Sequence, residues 1–166
     1  MAQIVHSLAM AENFTHRSSG EPFADLVKKH PTYGPLIEEE GEYEVWIVHT
    51  EEHWFLIIKR KDLAADSPCA YMSLEIMSHD CQKMDPEIRR VQVTSHDTGD
   101  LLRPQRVGIY GPGKTLLSLC ELADSVVKEM DGYNFINSNC QHFCNNLLIR
   151  MGFHEAFPTM VGPNTR

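Results

Sequence analysis

Cys140 heads the segment Ser138-Asn139-Cys140-Gln141-His142-Phe143-Cys144-Asn145-Asn146-Leu147-Leu148, and that placement gives it chemical potential. Ser138 followed three residues later by Gln141 has the spacing of a capping box. Cys140, Phe143, Cys144, Leu147, Leu148 and Met151 then recur on one helical face, and Gly152 supplies the stop. The pattern predicts an amphipathic helix with Cys140 in its first turn. Backbone N–H groups and the positive end of the helix dipole lower a thiol's pKa there. The same first-turn N–H groups, those of Cys140 and Gln141, are placed to receive an oxyanion. The competing expectation is that Cys140 and Cys144 are small core hydrophobes, free cysteine being among the most buried residue types.

A thiol nucleophile wants a base, and among nine histidines His53 is the best candidate. It opens His53-Trp54-Phe55-Leu56-Ile57-Ile58, a strand signal rich in aromatic and β-branched residues that ends at Lys59-Arg60-Lys61-Asp62. A histidine at the mouth of a buried strand can face a helix N-terminus packed across the sheet. The plainer alternative is a histidine in a hairpin turn, because Thr50-Glu51-Glu52 before it is polar.

Together the two segments carry a resemblance. Glu52-His53-Trp54 before an apolar strand, and Asn139-Cys140-Gln141-His142-Phe143 opening a late helix, resemble the lecithin:retinol acyltransferase family. Its relatives include the small phospholipase A/acyltransferases. The PPPDE (desumoylating-type) cysteine peptidases share the order of histidine before cysteine and a similar Asn-Cys helix. The resemblance covers about residues 42 to 152. It implies a circularly permuted papain-like fold, with Cys140 as nucleophile, His53 as general base and the Cys140 N–H in the oxyanion hole. It also implies acyl transfer through a thioester on a lipid ester or amide, with a cysteine (iso)peptidase of the same fold as the alternative.

One departure matters. The acyltransferases carry a second histidine on the next strand, and here that strand reads Ala70-Tyr71-Met72-Ser73-Leu74-Glu75-Ile76, with Ser73 at the nearest equivalent position. Alternation puts Tyr71, Ser73 and Glu75 on one face, so Ser73, Glu75 and Tyr71 all compete to orient the imidazole. A non-catalytic binding domain with a degraded triad is therefore a further alternative. His142 matches the family's helix histidine, and we read it as structural.

Two other motifs compete. Gly108-Ile109-Tyr110-Gly111-Pro112-Gly113-Lys114-Thr115 satisfies the phosphate-loop pattern. The preceding strand is short and contains Arg106, and no later hydrophobic run ends in an aspartate for magnesium. A Gly-Pro turn with Thr115 capping a core helix is the preferred expectation. His49-Thr50-Glu51-Glu52-His53 fits the inverted zinc-protease pattern, which requires a helix. Its flanks read as two strands instead, so no metal and no cofactor are expected.

Bulk properties fit one compact domain of 166 residues. A formal net charge of −8 without a basic block argues against nucleic acid as a partner and against tight binding to anionic membrane. Five cysteines, an odd number lacking paired metal-type spacing, fit a reducing, cytoplasmic setting. Ala9-Met10-Ala11 mimics a signal cleavage site, but no basic region precedes it and the apolar stretch is short. No run approaches the roughly 20 apolar residues of a spanning helix. Lipid-processing relatives often have a hydrophobic C-terminal anchor, whereas this sequence runs out in Pro158-Thr159-Met160-Val161-Gly162-Pro163. The expected partner is an acyl-bearing lipid or peptide substrate, with the polar N-terminal arm left as a surface for another protein.

The expected architecture is α+β, an antiparallel sheet of about five strands packed against helices. Residues 1–41 read as an N-terminal arm to about 20, a short helix with Pro22 at its first position, and an acidic linker from Pro31 to Gly41. Residues 42–155 read as the catalytic domain, with strands near 42–49, 53–60, 69–77, 88–95 and 106–110 and helices at 115–131 and from Cys140. Ser78 to Pro86 reads as a loop, and 156–166 as a tail.

Overall fold

The computed structural model describes residues 3–5, 22–49, 53–64, 67, 69–78, 84–90, 92–94, 104–130 and 139–154, with side chains at 3–5, 49, 77–78, 84–90 and 92–94 excepted. The chain is α+β. Strands β2 (Gly41–His49), β3 (Trp54–Arg60), β4 (Tyr71–Ser78), β5 (Met84–Arg90) and β7 (Gln105–Lys114) lie in the order β5-β4-β3-β2-β7, every neighbouring pair antiparallel. A separate ribbon pairs β1 (Gln3–Val5) with β6 (Gln92–Thr94). The helices are α1 (Phe23–Lys28), α2 (Leu116–Glu129) and α3 (Cys140–Arg150).

Period-two alternation sorts the strands into two faces. Tyr43, Val45 and Ile47 of β2, Leu56 and Ile58 of β3, and Met72, Leu74 and Ile76 of β4 face the helices in the main core. Val48, Phe55 and Ile57 form a smaller cluster with Trp46 and Tyr71 on the opposite face. Register places Ser73 across from Ile57, and so on that second face. The expected alternation of β4 is thus present, with Ser73 and Glu75 turned away from the helices and both almost fully buried.

Helix α3 packs on β3 and β4 through Phe143, Cys144, Leu147 and Leu148, all at 0% exposure. Each of the three large apolar side chains contributes about 1.5–3 kcal/mol by burial, which fixes the helix against the sheet. Its C-terminus closes with Gly152 at φ +94°, where the Gly152 N–H donates to Ile149 O and the Phe153 N–H to Leu148 O, both at 3.0 Å. That is a Schellman closure. It delivers the Phe153 ring to Gly108 of β7, where a Cβ would sit 2.7 Å from the ring.

This contact accounts for the first glycine of the phosphate-loop pattern. Gly111, at one of its variable positions, has φ +130° in a cis Gly111-Pro112 peptide, pressed against Gly41 and Glu42 of β2. The expected Gly-Pro turn is instead a continuation of β7 to Lys114, with a register irregularity against β2 between Gly41 and Tyr43. Thr115 caps α2 as expected: its Oγ1 accepts from the Ser118 N–H at 3.0 Å. The two histidines of the zinc pattern lie at strand ends, His49 closing β2 and His53 immediately preceding β3.

Other boundaries differ for physical reasons. The loop expected to reach Pro86 gives way to β5 at Met84. Proline is tolerated there because β5 lies at the sheet edge. The single strand expected at 88–95 is two, β5 and β6, on different sheets. Gln3–Val5 of the expected arm is a strand, and the rest of the arm to residue 21, like the 156–166 tail, lies outside the described residues. Pro22 is the cap of α1, one position before the helix. The acidic linker contributes to the core through Tyr33 and Ile37, and the buried Arg60 guanidinium ties the segment down by donating to Glu39 Oε2 at 3.2 Å and Leu36 O at 3.4 Å.

The N-terminus of α1 has no local side-chain cap, and a buried carboxylate from α2 supplies one, Asp124 Oδ2 accepting the Ala24 N–H at 3.2 Å. Asp124→Ala should lower stability by about 1–2 kcal/mol. Asp124→Asn, which keeps an acceptor oxygen, should cost less. Urea unfolding checks this, and equal midpoints for Asp124→Ala and the parent would contradict it.

Candidate active site

Cys140 is the first helical residue of α3, and its cap is Asn139. The capping-box reading put that role on Ser138, which lies outside the described residues. Asn139 takes it because its extended backbone (φ −134°, ψ −173°) turns Oδ1 onto the N–H groups of Gln141 at 2.9 Å and His142 at 3.3 Å. Asparagine is as good a cap as serine. The signal was present in the sequence, but the Ser-x-x-Gln spacing one residue earlier drew the assignment.

His53 lies just ahead of β3, its ring stacked on Phe55 with centroids 5.9 Å apart and planes at 24°. Its Nε2 is 2.8 Å from Glu75 Oε2. Ser73 Oγ donates to the other carboxylate oxygen of Glu75 at 3.3 Å. The Cys140 thiol hydrogen-bonds the His53 imidazole. Cys140, His53, Glu75 and Ser73 therefore form one chain of contacts. It runs from the head of a helix on one side of the sheet to two side chains on the other.

The remaining candidates fall elsewhere. Tyr71 shares the face of Glu75 but pairs in register with Lys59, whose Nζ sits 5.6 Å from its ring. Lys59 is roughly 20 Å along β3 from His53 at the usual rise of a strand. His142 bonds Asn139 Oδ1 through Nδ1 at 2.9 Å, beside the cap. The Gln141 N–H, expected to share the oxyanion with Cys140, is engaged by Asn139 Oδ1. The Trp54 backbone N–H was not foreseen. It hydrogen-bonds the Cys140 sulfur, and a main-chain donor at a strand start leaves no mark in residue type.

The electrostatics follow from these contacts. Burial acts to lower the His53 pKa, but hydrogen bonds to Cys140 and Glu75 and the negative charges of both outweigh it, raising it to about 9. Burial acts to raise the Cys140 pKa, yet the bond to His53, the Trp54 N–H, the imidazolium charge and the Gln141 N–H together hold it below the ordinary thiol range. The two shifts run in opposite directions, and both favour the thiolate–imidazolium form of the pair over the neutral one. Burial acts in the same direction on Cys144, one turn along α3, but no such partners oppose it and the thiol is pushed far up. Cys120 on α2 is likewise buried and raised. Among Cys120, Cys140 and Cys144, Cys140 alone has its pKa lowered.

No protein-family model, no curated protein and no solved structure matches the chain. No helix among the described residues is long and apolar enough to cross a membrane.

Iodoacetamide should alkylate Cys140 at pH 7 faster than any other cysteine, with the rate falling only as pH drops through its depressed pKa. In His53→Ala the burial that raises the thiol's pKa loses its main opposition. The rate at pH 7 should then fall by about tenfold or more, a factor of ten in thiolate corresponding to about 1.4 kcal/mol. Equal rates in the two proteins, mapped by mass spectrometry, would contradict the pairing.

Proposed function

We propose that this chain is a cysteine-dependent acyl-transfer enzyme of permuted papain-like architecture, acting on a lipid ester or amide through a thioester on Cys140. The observation that carries the reading is the bonded series of thiol, imidazole and carboxylate, Cys140 to His53 to Glu75. The resemblance of the Glu52-His53-Trp54 and Asn139-Cys140-Gln141-His142-Phe143 segments to the lecithin:retinol acyltransferase family supports it, as does the order of histidine before cysteine.

In the reaction the Cys140 thiolate attacks the acyl carbonyl carbon, and the carbonyl oxygen takes up the negative charge beside the Cys140 N–H. Collapse breaks the bond to the leaving alcohol or amine, which takes its proton from the His53 imidazolium. The neutral imidazole then removes a proton from water or another acceptor as that group attacks the thioester. The acyl product leaves, and thiolate and imidazolium are restored. Glu75 keeps the ring oriented and stabilises its charge throughout, the role a carboxylate plays toward a catalytic imidazole. Ser73 holds Glu75.

A cysteine (iso)peptidase of the same fold is the second reading. The observation favouring it is the orienting group, a carboxylate where the acyltransferases use a second histidine. The bonded series argues against a binding domain with a degraded triad, because nothing in binding alone needs an activated thiol.

Cys140→Ser should abolish turnover of an ester substrate while leaving the folded state intact. Glu75→Gln should lower kcat/KM by roughly 10²–10⁴-fold. The pH profile should fall on the acid side as Cys140 gains a proton and on the alkaline side as His53 loses one near pH 9. A Cys140→Ser protein with full activity would rule out the mechanism, and a thioester adduct on Cys140 seen by mass spectrometry is its most direct positive sign.

A further inference from the structure

Asn139 Oδ1 collects three donors: the Gln141 N–H at 2.9 Å, the His142 N–H at 3.3 Å and His142 Nδ1 at 2.9 Å. An amide oxygen only accepts, and two backbone N–H groups fix which atom of the Asn139 amide points inward. The ring must therefore donate from Nδ1, which sets the neutral His142 as the Nδ1–H tautomer with a bare Nε2. Two of the first three N–H groups of α3 thus donate to the cap, the Gln141 N–H also serving the Cys140 sulfur. The Cys140 N–H is the first-turn donor that Asn139 Oδ1 does not take.

We propose that Asn139 and His142 are a positioning pair that commits the Gln141 and His142 N–H groups to the cap and reserves the Cys140 N–H for the substrate's developing oxyanion. The proposal rests on the acyl-transfer reading and deepens it. His142 sits two residues beyond Cys140, off the helix face that carries the nucleophile, so it acts through Asn139 and not on the reacting atoms. Its Nδ1–H braces the Asn139 side chain from a third direction. Without that brace Asn139 Oδ1 loses one of its three donors, the first turn is held less firmly and the donor beside the sulfur loses part of its fixed direction. An ordinary capping role needs only Asn139, so the ring contact is the part that catalysis would use.

Two reagents separate the roles. Alkylation by iodoacetamide is displacement at a saturated carbon and reads the thiolate alone. Acylation by p-nitrophenyl acetate forms an oxyanion and reads thiolate and donor together. Both adducts at Cys140 are counted by intact mass. In His142→Leu the acylation rate should fall about tenfold or more, as when an oxyanion donor is disturbed, with alkylation little changed. His142→Gln, whose side-chain N–H can donate to Asn139 Oδ1, should recover most of the loss. Nitrogen-15 NMR of the imidazole should show His142 as the Nδ1–H tautomer in the parent protein, and that preference should vanish in Asn139→Ala. An unchanged ratio of acylation to alkylation in His142→Leu, or an Nε2–H tautomer in the parent, overturns the pair alone. A parent protein that is alkylated quickly at Cys140 but never acylated overturns the acyl-transfer reading, and the pair with it.

Discussion

The structure turns on a charge pair at the seam where the head of α3 meets the start of β3. Glu75 is a carboxylate at 3% exposure on a sheet face otherwise built from Phe55, Ile57 and Val48. A buried charge of this kind is costly unless paired and hydrogen-bonded. The His53 imidazolium meets that need, and the hydroxyl of Ser73 adds a second donor. The imidazolium's bond and charge in turn draw the Cys140 thiol below the ordinary range. The same burial that would otherwise keep Cys140 protonated strengthens its attraction to His53. Stability and reactivity here draw on one interaction.

Each half of the pair is positioned by a different part of the core. The apolar face of α3 sets where Cys140 begins, and the Schellman turn at Gly152 anchors the far end by sending Phe153 onto Gly108. The antiparallel pairing of β3 with β4 sets where His53 lies relative to Glu75. The two come from opposite sides of the sheet and can meet only at its end. A nucleophile on a helix and a base ahead of a strand are therefore brought together by topology, and the Trp54 N–H at that strand start adds a fixed donor to the sulfur.

Much of this was legible in the sequence. The period of Cys140, Phe143, Cys144, Leu147 and Leu148 gave the helix and its buried face, and the alternation along Tyr71 to Ile76 placed Ser73 and Glu75 together. What stayed hidden was decided at longer range. Residue type left Ser73, Glu75 and Tyr71 equivalent. Register decides, by putting Tyr71 beside Lys59 and leaving Glu75 at the His53 end. The cap was missed by one residue because two good cap formers are adjacent. The Gly-Pro turn expected in place of a phosphate loop is strand instead, because β7 stays paired with β2 as far as Lys114, a partner far away in the chain. Pro86 hid β5 because proline breaks most strands, but not one at a sheet edge.

The measurement that bears most directly on the charge pair is an NMR titration of the His53 ring in the parent protein and in Cys140→Ala. The paired arrangement predicts a midpoint near pH 9 in the parent. It also predicts a lower midpoint once the sulfur is gone, because burial then meets only Glu75. A parent midpoint near the ordinary histidine value of about 6.5, unmoved by the substitution, would contradict it.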